Sequence, residues 1–320
     1  PASPTATERS FSPTALERYA TCPFQYFAAK VLRLEPLRRL HHDSLPPLML
    51  GTLVHESLRL SYERLVLLQW PDDPLSEATV LSTVHAAVTD TFAAHAASQG
   101  TGHALLWTLA REQVTELIAA AVSSDQSEYR ATGFRPVTFE ATTEGIVSLE
   151  SDASSGFLKI HGTVDRVDYR AEPPALRIVD YKFKQGNEIA AVDRNLGLSA
   201  VRGFRLQPPL YARMTLPSFP VVTEVQLFFL APQWKEPVSR STFDAGLWTG
   251  HTGDMIRQTL STLIQGIARR EFFILPDGYC DYCEFSGACR RHDAMAWWRS
   301  YRSPQARVLR RLRKQKVNDE

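Results

Sequence analysis

The chain has 320 residues, 44% of them hydrophobic, enough for one large globular domain or two small ones. No run of about 18 uncharged apolar residues occurs, which argues against a membrane span, and four cysteines are too few for a disulfide scaffold. Net charge is only +1, but residues 299–316 hold eight Arg or Lys and no acid, so 299–320 carries +6 and 1–298 carries −5. Such a segment suits a phosphate backbone and counterion release; a solvated helix or a partner-docking segment suits it equally.

The first residues, PASPTATERSFSPTALERY, hold no apolar signal core and no initiator Met. The expectation is a mature or excised piece of a longer protein, or a trimmed free-standing one, in a reducing cytoplasm where thiolates more often bind metal. Residues 12–31 open with Ser12-Pro13, an N-cap and first-turn pair, and read as a helix. HHDSLPP (41–47) reads as a loop. After Gly51 a helix is predicted in which His55, Leu58, Tyr62 and Leu65 share one face. Residues 75–132 are Ala-rich and read as an inserted helical lobe, interrupted near Gly100–Gly102.

Three strand-like runs follow, at 137–150, 157–170 and 175–183, separated by SDASSG and AEPP turns. A short helix is predicted at about 205–215, an apolar strand at 221–231 and a helix at about 250–270. A cysteine-rich loop and the basic tail complete the chain. The central order α, β, β, β, α, β predicts an α/β core with helices added before and after.

Asp165 lies in GTVDRVDY, and Asp180 and Lys182 lie in IVDYKF. Strand alternation points Asp180 and Lys182 to one face. If the AEPP turn closes a hairpin, Asp165 comes beside Asp180, while Asp168, of opposite parity, faces away unless a bulge intervenes. Two converging carboxylates suit a hard divalent cation, and a neighbouring ammonium can assist an attacking water. An exposed hairpin with an ordinary Asp/Lys pair is the bland reading.

GTVDRVDY followed by IVDYKF resembles the core signature of the RecB-like branch of PD-(D/E)XK nucleases. The resemblance implies a restriction-endonuclease-like core, a central mixed sheet flanked by helices, with Asp165, Asp180 and Lys182 catalytic. GTLVHESL resembles the family's upstream histidine motif, which would make His55 a ligand of Mg²⁺ or Mn²⁺ beside Asp165, Asp180 and the Tyr181 carbonyl; a hydrogen-bonded core histidine is the alternative. LQPPLYA resembles the family's Q-x-x-x-Y motif, matching Gln207 and Tyr211, four apart and so on one helix face; simple packing is the alternative. Glu140 on the first strand is a second-tier candidate for the acidic cluster.

Cys280, Cys283 and Cys289 form C-x2-C-x5-C, and Cys22 lies 258 positions upstream. Bare spacing leaves a [4Fe–4S] cluster and tetrahedral zinc evenly matched. ATCPFQYFAAKVLRLEP and PDGYCDYCEFSGACR resemble the two ends of AddB-type nuclease domains, where one early and three late cysteines hold [4Fe–4S]; CRISPR-associated single-domain nucleases share a similar layout. Closing so long a loop would remove unfolded-chain entropy worth about 5 kcal/mol, which makes the cluster a structural staple.

The resemblance runs from Ser12 to Cys289 and leaves the helical insert and the tail uncovered. It implies a single nuclease domain over 1–320: the N-terminal helix 12–31, the insertion 75–132, the catalytic core 136–231, a cluster-binding loop 276–290 and a basic tail 291–320. It further implies a Mg²⁺-dependent deoxyribonuclease, an exonuclease at DNA ends in break repair and recombination, beside an AddA-type helicase–nuclease partner. A non-cleaving iron–sulfur DNA-binding module and a free-standing CRISPR-associated type of nuclease are the alternatives.

Overall fold

The computed structural model describes residues 10–36, 45–72, 75–99, 103–149, 156–185, 194–217 and 219–316. Outside them fall the extreme termini, most of the 41–47 loop, the Gly100–Gly102 interruption and most of the SDASSG turn.

A two-residue strand β1 (Ser10–Phe11) leads into α1 (Pro13–Thr21), capped as expected by Ser12, whose hydroxyl accepts from the Ala15 N–H at 3.3 Å. The single helix expected over 12–31 is broken. Cys22 is extended (φ −160°, ψ 115°), and the chain restarts as α2 (Pro23–Tyr26), followed by a π-helical turn at Phe27–Val31. Pro23 is the cause, because its ring pushes the preceding residue out of the helical region. The break turns the Cys22 side chain inward, where it is buried.

The next helix, α3 (Pro47–Leu67), starts several residues before Gly51 and runs through it, with Pro47 in the first-turn position that tolerates a missing N–H. With α4 (Glu77–Gln99) and α5 (Ala104–Thr132) it forms the helical lobe expected from the Ala-rich stretch. Helix α5 ends on Gly133, whose φ of 76° supplies the left-handed C-terminal cap.

The sheet then forms from β2 (Arg135–Ser148), β3 (Phe157–Arg170), β4 (Ala175–Phe183), β5 (Met214–Thr215), β6 (Val222–Leu230) and β7 (Val238–Asp244). Helices α6 (Leu196–Val201) and α7 (Gln207–Tyr211) lie on the crossover between β4 and β6. Strand order is β5-β2-β3-β4-β6-β7; β2, β3 and β4 pair antiparallel, β4 and β6 parallel, and β6 and β7 antiparallel. The sheet is therefore mixed, and edge strand β7 was not expected from the sequence.

Helices cover both faces, so β4 is buried almost throughout, as a central strand should be. Ile178, Leu227 and Phe229 enter one core, shared with Leu16, Tyr19 and Leu210 and with α8 (His251–Ala268). Val179, Tyr181, Phe228 and Leu230 enter the other, against α3, α4 and α5.

The segment expected as a basic tail is folded. It forms α9 (Ala294–Arg302) and α10 (Pro304–Leu312), and α10 buries Ala306, Leu309 and Leu312. Their spacing of three is a helix stripe that the dense arginines obscure. Beyond α10, Arg313 pairs with Asp277 at 2.8 Å and donates to the carbonyls of Ala20 and Thr21, locking the C-terminal segment onto the end of α1.

Candidate functional site

The site grows out of an irregularity in β3. One edge of β3 pairs with β2 along its length. The other is shared, with β1 paired at Lys159 and Ile160 and β4 paired from Arg166 onward. Among the described residues, 161–165 have no strand partner on that second edge. The β3–β4 register matches Arg166 with Val179, so the next step would put Asp165 opposite Asp180, where the strands part.

The pleat also changes parity there. Val164 and Val167 both enter the core shared with α1 and α7, so alternation slips once between them, at Asp165. Across the β2 ladder, at the same level, Glu140 has a φ of 48°, a left-handed conformation costly for a residue with a Cβ. The slip aims Asp165 at β4: its Oδ2 accepts from the Tyr181 N–H at 2.7 Å and lies 3.5 Å from His55 Nδ1.

On the α7 side, the Lys182 ammonium pairs with Asp180 and donates to Gln207 Oε1 at 2.8 Å. The Gln207 amide nitrogen donates to Asp180 Oδ1 at 3.1 Å and lies 3.0 Å from Tyr211 Oη. One amide thus fixes both the carboxylate and the lysine, and Tyr211 braces the amide. The structure brings His55, Asp165, Asp180, Tyr181, Lys182, Gln207 and Tyr211 together. Glu140 lies near enough for its charge to help raise Asp165; its own carboxyl is raised by burial, with Arg59 on α3 pulling it down and Glu56 and Glu63 pushing it up.

Electrostatics mark the same spot. Burial first, then repulsion from Asp180, pushes the Asp165 carboxyl up to about 8. Burial lowers the His55 imidazolium against the pull of Asp180, which favours the neutral ring that can donate a lone pair. Burial raises the Tyr211 phenol, keeping it protonated.

An imidazole and two carboxylates are a donor set that suits a hard divalent cation, and the buried Asp180 Oδ2 is met by the Lys182 ammonium. Among the described residues, no three His, Cys, Asp or Glu side chains already converge as metal ligands. The reason is visible: Asp180 is turned to Lys182 and Gln207, and Asp165 to the Tyr181 N–H.

Two features escaped the sequence reading. Glu17 of α1 is half-buried and accepts from the N–H groups of Leu206 (2.6 Å) and Gln207 (3.0 Å), anchoring the start of α7. Burial raises its carboxyl, with those N–H groups and the charges of Lys182 and Arg205 acting against the rise. Its only sequence signal is a lone acid among the apolar positions of α1. The second feature lies behind β3 and β4. Arg166 is buried between Asp125 (2.6 Å) and Asp168 (2.8 Å), and Arg240 of β7 also reaches Asp125 (2.8 Å). Tyr62 donates to Asp125, and Arg166 donates to Tyr181 Oη at 3.1 Å. Burial alone would raise Asp125, but the two arginines and Tyr62 hold it below its ordinary value. Asp168 faces away from the site, toward Arg166, although the alternation does slip at Asp165.

Cys22, Cys280, Cys283 and Cys289 are free thiols lining one small cavity with Tyr279 and Arg291. Burial raises the thiols of Cys22 and Cys289. They too do not converge as a metal centre, although four thiols on one cavity are a donor set that suits an iron–sulfur cluster or zinc.

No helix among the described residues is long and apolar enough to cross a membrane. An ATP-dependent helicase/deoxyribonuclease component of Moorella thermoacetica (strain ATCC 39073 / JCM 9320) is 30% identical over 215 residues, covering 64% of this chain and 17% of that protein. The chain therefore spans less than a fifth of that relative's length. The PD-(D/E)XK nuclease superfamily, whose members use divalent metals, matches residues 10–290, from β1 through all four cysteines. A mixed sheet carrying Asp165, Asp180 and Lys182 at the point where two strands part, with that match over most of its length, places this chain in the PD-(D/E)XK nuclease superfamily.

Proposed function

We propose that this chain is a divalent-metal-dependent deoxyribonuclease, an exonuclease that hydrolyses phosphodiester bonds at DNA ends. The observation that carries this reading is the clamp on Lys182, held at 2.8 Å by Gln207 while the same amide holds Asp180. An ammonium fixed in place beside two carboxylates is preorganised for charge that develops on phosphorus.

His55, Asp165 and Asp180, with the Tyr181 carbonyl, would hold Mg²⁺ or Mn²⁺, which supplies Lewis-acid neutralisation of the scissile phosphate. Lys182 orients the attacking water and faces the phosphate oxygen that gains charge. Gln207, braced by Tyr211, shares the Lys182 ammonium with Asp180 and so fixes its direction. In this reading Cys22, Cys280, Cys283 and Cys289 hold a [4Fe–4S] cluster whose task is structural. Support comes from the shared cavity and from Arg313, which already draws the same two chain regions together.

The relative's name, that of an ATP-dependent helicase/deoxyribonuclease subunit, supports deoxyribonuclease action beside a helicase; DNA end processing in break repair and recombination, in the cytoplasm, with an AddA-type helicase–nuclease partner, completes the reading on the strength of the sequence resemblance. The test is a time course with Mg²⁺ on linear DNA labelled at one end, comparing anaerobically purified wild type with Lys182→Ala. Degradation by wild type alone supports the reading, and the fate of the label gives polarity. Equal degradation by both, or by neither, overturns it.

A further inference from the structure

The C-terminal helices carry a surface that the catalytic centre does not use. On α9, Trp297, Trp298 and Tyr301 are 42%, 47% and 53% exposed, and Met295 beside them is 66% exposed. Three neighbouring aromatic rings left this open make a patch that needs an occupant. The helix is not loose: Ser300 is buried and donates to the Ile274 carbonyl. The rings are ordered among themselves. Trp297 and Tyr301 stack with centroids 5.2 Å apart and planes 6° from parallel, and Trp298 stands edge-on to both.

Guanidinium groups sit over the same rings. Arg302 lies 4.7 Å from the Trp298 centroid, and Arg310 of α10 lies 4.9 Å from that of Tyr301. From Ala294 to Lys316 there are eight basic residues and no acid. Trp, Tyr, Met and Arg are also common in protein–protein interfaces, but eight basic residues with no acid among them make a face of one sign, and such a face interleaved with rings points to a polyanion with flat, apolar groups. Unpaired bases on a phosphate backbone have that chemistry, and stacking on them tolerates any sequence. Duplex DNA hides its base faces and would use only the charge.

We propose that α9 and α10 form a docking platform for single-stranded DNA, with Trp297, Trp298 and Tyr301 stacking on bases and Arg299, Arg302 and Arg310 facing phosphates. This rests on the reading that the chain acts on DNA. The platform is joined to the catalytic centre: the Leu312 side chain packs at Gly203, Arg202 donates to the Gln315 carbonyl at 2.9 Å, and this loop leads directly into Gln207.

The test uses the full chain with EDTA present, so that nothing is cut, and follows the anisotropy of a labelled 20-nucleotide oligo(dT) together with tryptophan fluorescence. The oligonucleotide should quench the tryptophans. Trp297→Ala and Trp298→Ala should each weaken binding about 5- to 140-fold, and Trp298→Phe should recover most of the loss. Thermal melts unchanged from wild type show that the variants fold. Folded alanine variants that bind oligo(dT) as wild type does would overturn the platform. So would duplex DNA that loses equal affinity in the same variants, since stacking would then not be the cause. Cleavage by wild type in a separate Mg²⁺ assay keeps the two readings distinguishable. Cleavage with ring-independent binding rejects the platform alone, whereas absence of both cleavage and binding rejects the nuclease reading.

Discussion

Replacing Arg166 by Met tests how β3 and β4 are held. Arg166 and Tyr181 neighbour Asp165 and Asp180 in sequence, and their side chains meet on the far face of the sheet at 3.1 Å. The charges around them balance, with Arg166 and Arg240 against Asp125 and Asp168. Arg166→Met leaves the two buried carboxylates without their shared partner, with Arg240 on Asp125 and only the charge of Arg177 acting on Asp168. Uncompensating a buried pair costs about 3–5 kcal/mol. With an unfolding entropy of about 2.1 cal/mol/K per residue, 320 residues give about 0.7 kcal/mol/K, so the melting temperature should fall by roughly 4–7 °C. Differential scanning calorimetry with EDTA present reads this shift directly. Asp168→Asn added to Arg166→Met should return part of the loss by removing one orphaned charge. A single variant melting within about 1 °C of wild type would refute the idea that the network supports the strands.

Glu17→Ala should lower kcat roughly 10- to 100-fold with little change in DNA affinity, because Gln207 loses its anchor. Glu17→Gln, which still accepts from the same N–H groups, should recover much of it; equal kcat in all three would reject the positioning role. Cys22→Ala should lose the brown cluster absorbance and about 5 kcal/mol in urea unfolding, and an unchanged midpoint would rule out the staple. Millimolar Mg²⁺ should raise the melting temperature of wild type but not of Asp180→Asn; equal shifts would show that the cation binds elsewhere. Gly266→Ala drives a new Cβ against the Tyr19 hydroxyl, which bonds the Glu271 carbonyl at 2.9 Å, and should cost about 1–3 kcal/mol by thermal melting.

The parts legible in the sequence were those with a local cause. The strands at 157–170 and 175–183 match their expected bounds, because β-branched runs between turn residues carry their own signal. The site motifs fall on neighbouring elements for the same reason: D-x-K parity is a property of one strand and Q-x-x-x-Y of one helical turn. What the sequence hid depends on distant partners. Arg166 reads as an exposed charge until Asp125, 41 residues earlier, is brought beside it. Glu17 reads as a solvated acid until α7, some 190 residues later, presents its N–H groups. The helix break at Cys22 was visible in Pro23, but helical composition on both sides masked it. The parity slip at Asp165 has no local signature, since it arises from the competition of β1 and β4 for one edge of β3.

The meeting of α1 with the C-terminal segment bears on the order in which a ribosome delivers this chain. Arg313 bonds a carbonyl 293 residues earlier, and Glu17 on the same helix anchors Gln207. While residues near 313 are still inside the ribosomal tunnel, α1 lacks its final clasp and Gln207 its firm support. The clamp on Lys182 is thus completed only after α9 and α10 emerge. A partly synthesised chain carries its carboxylates early but its ordered centre late, so cutting competence trails the synthesis of the carboxylates by more than a hundred residues.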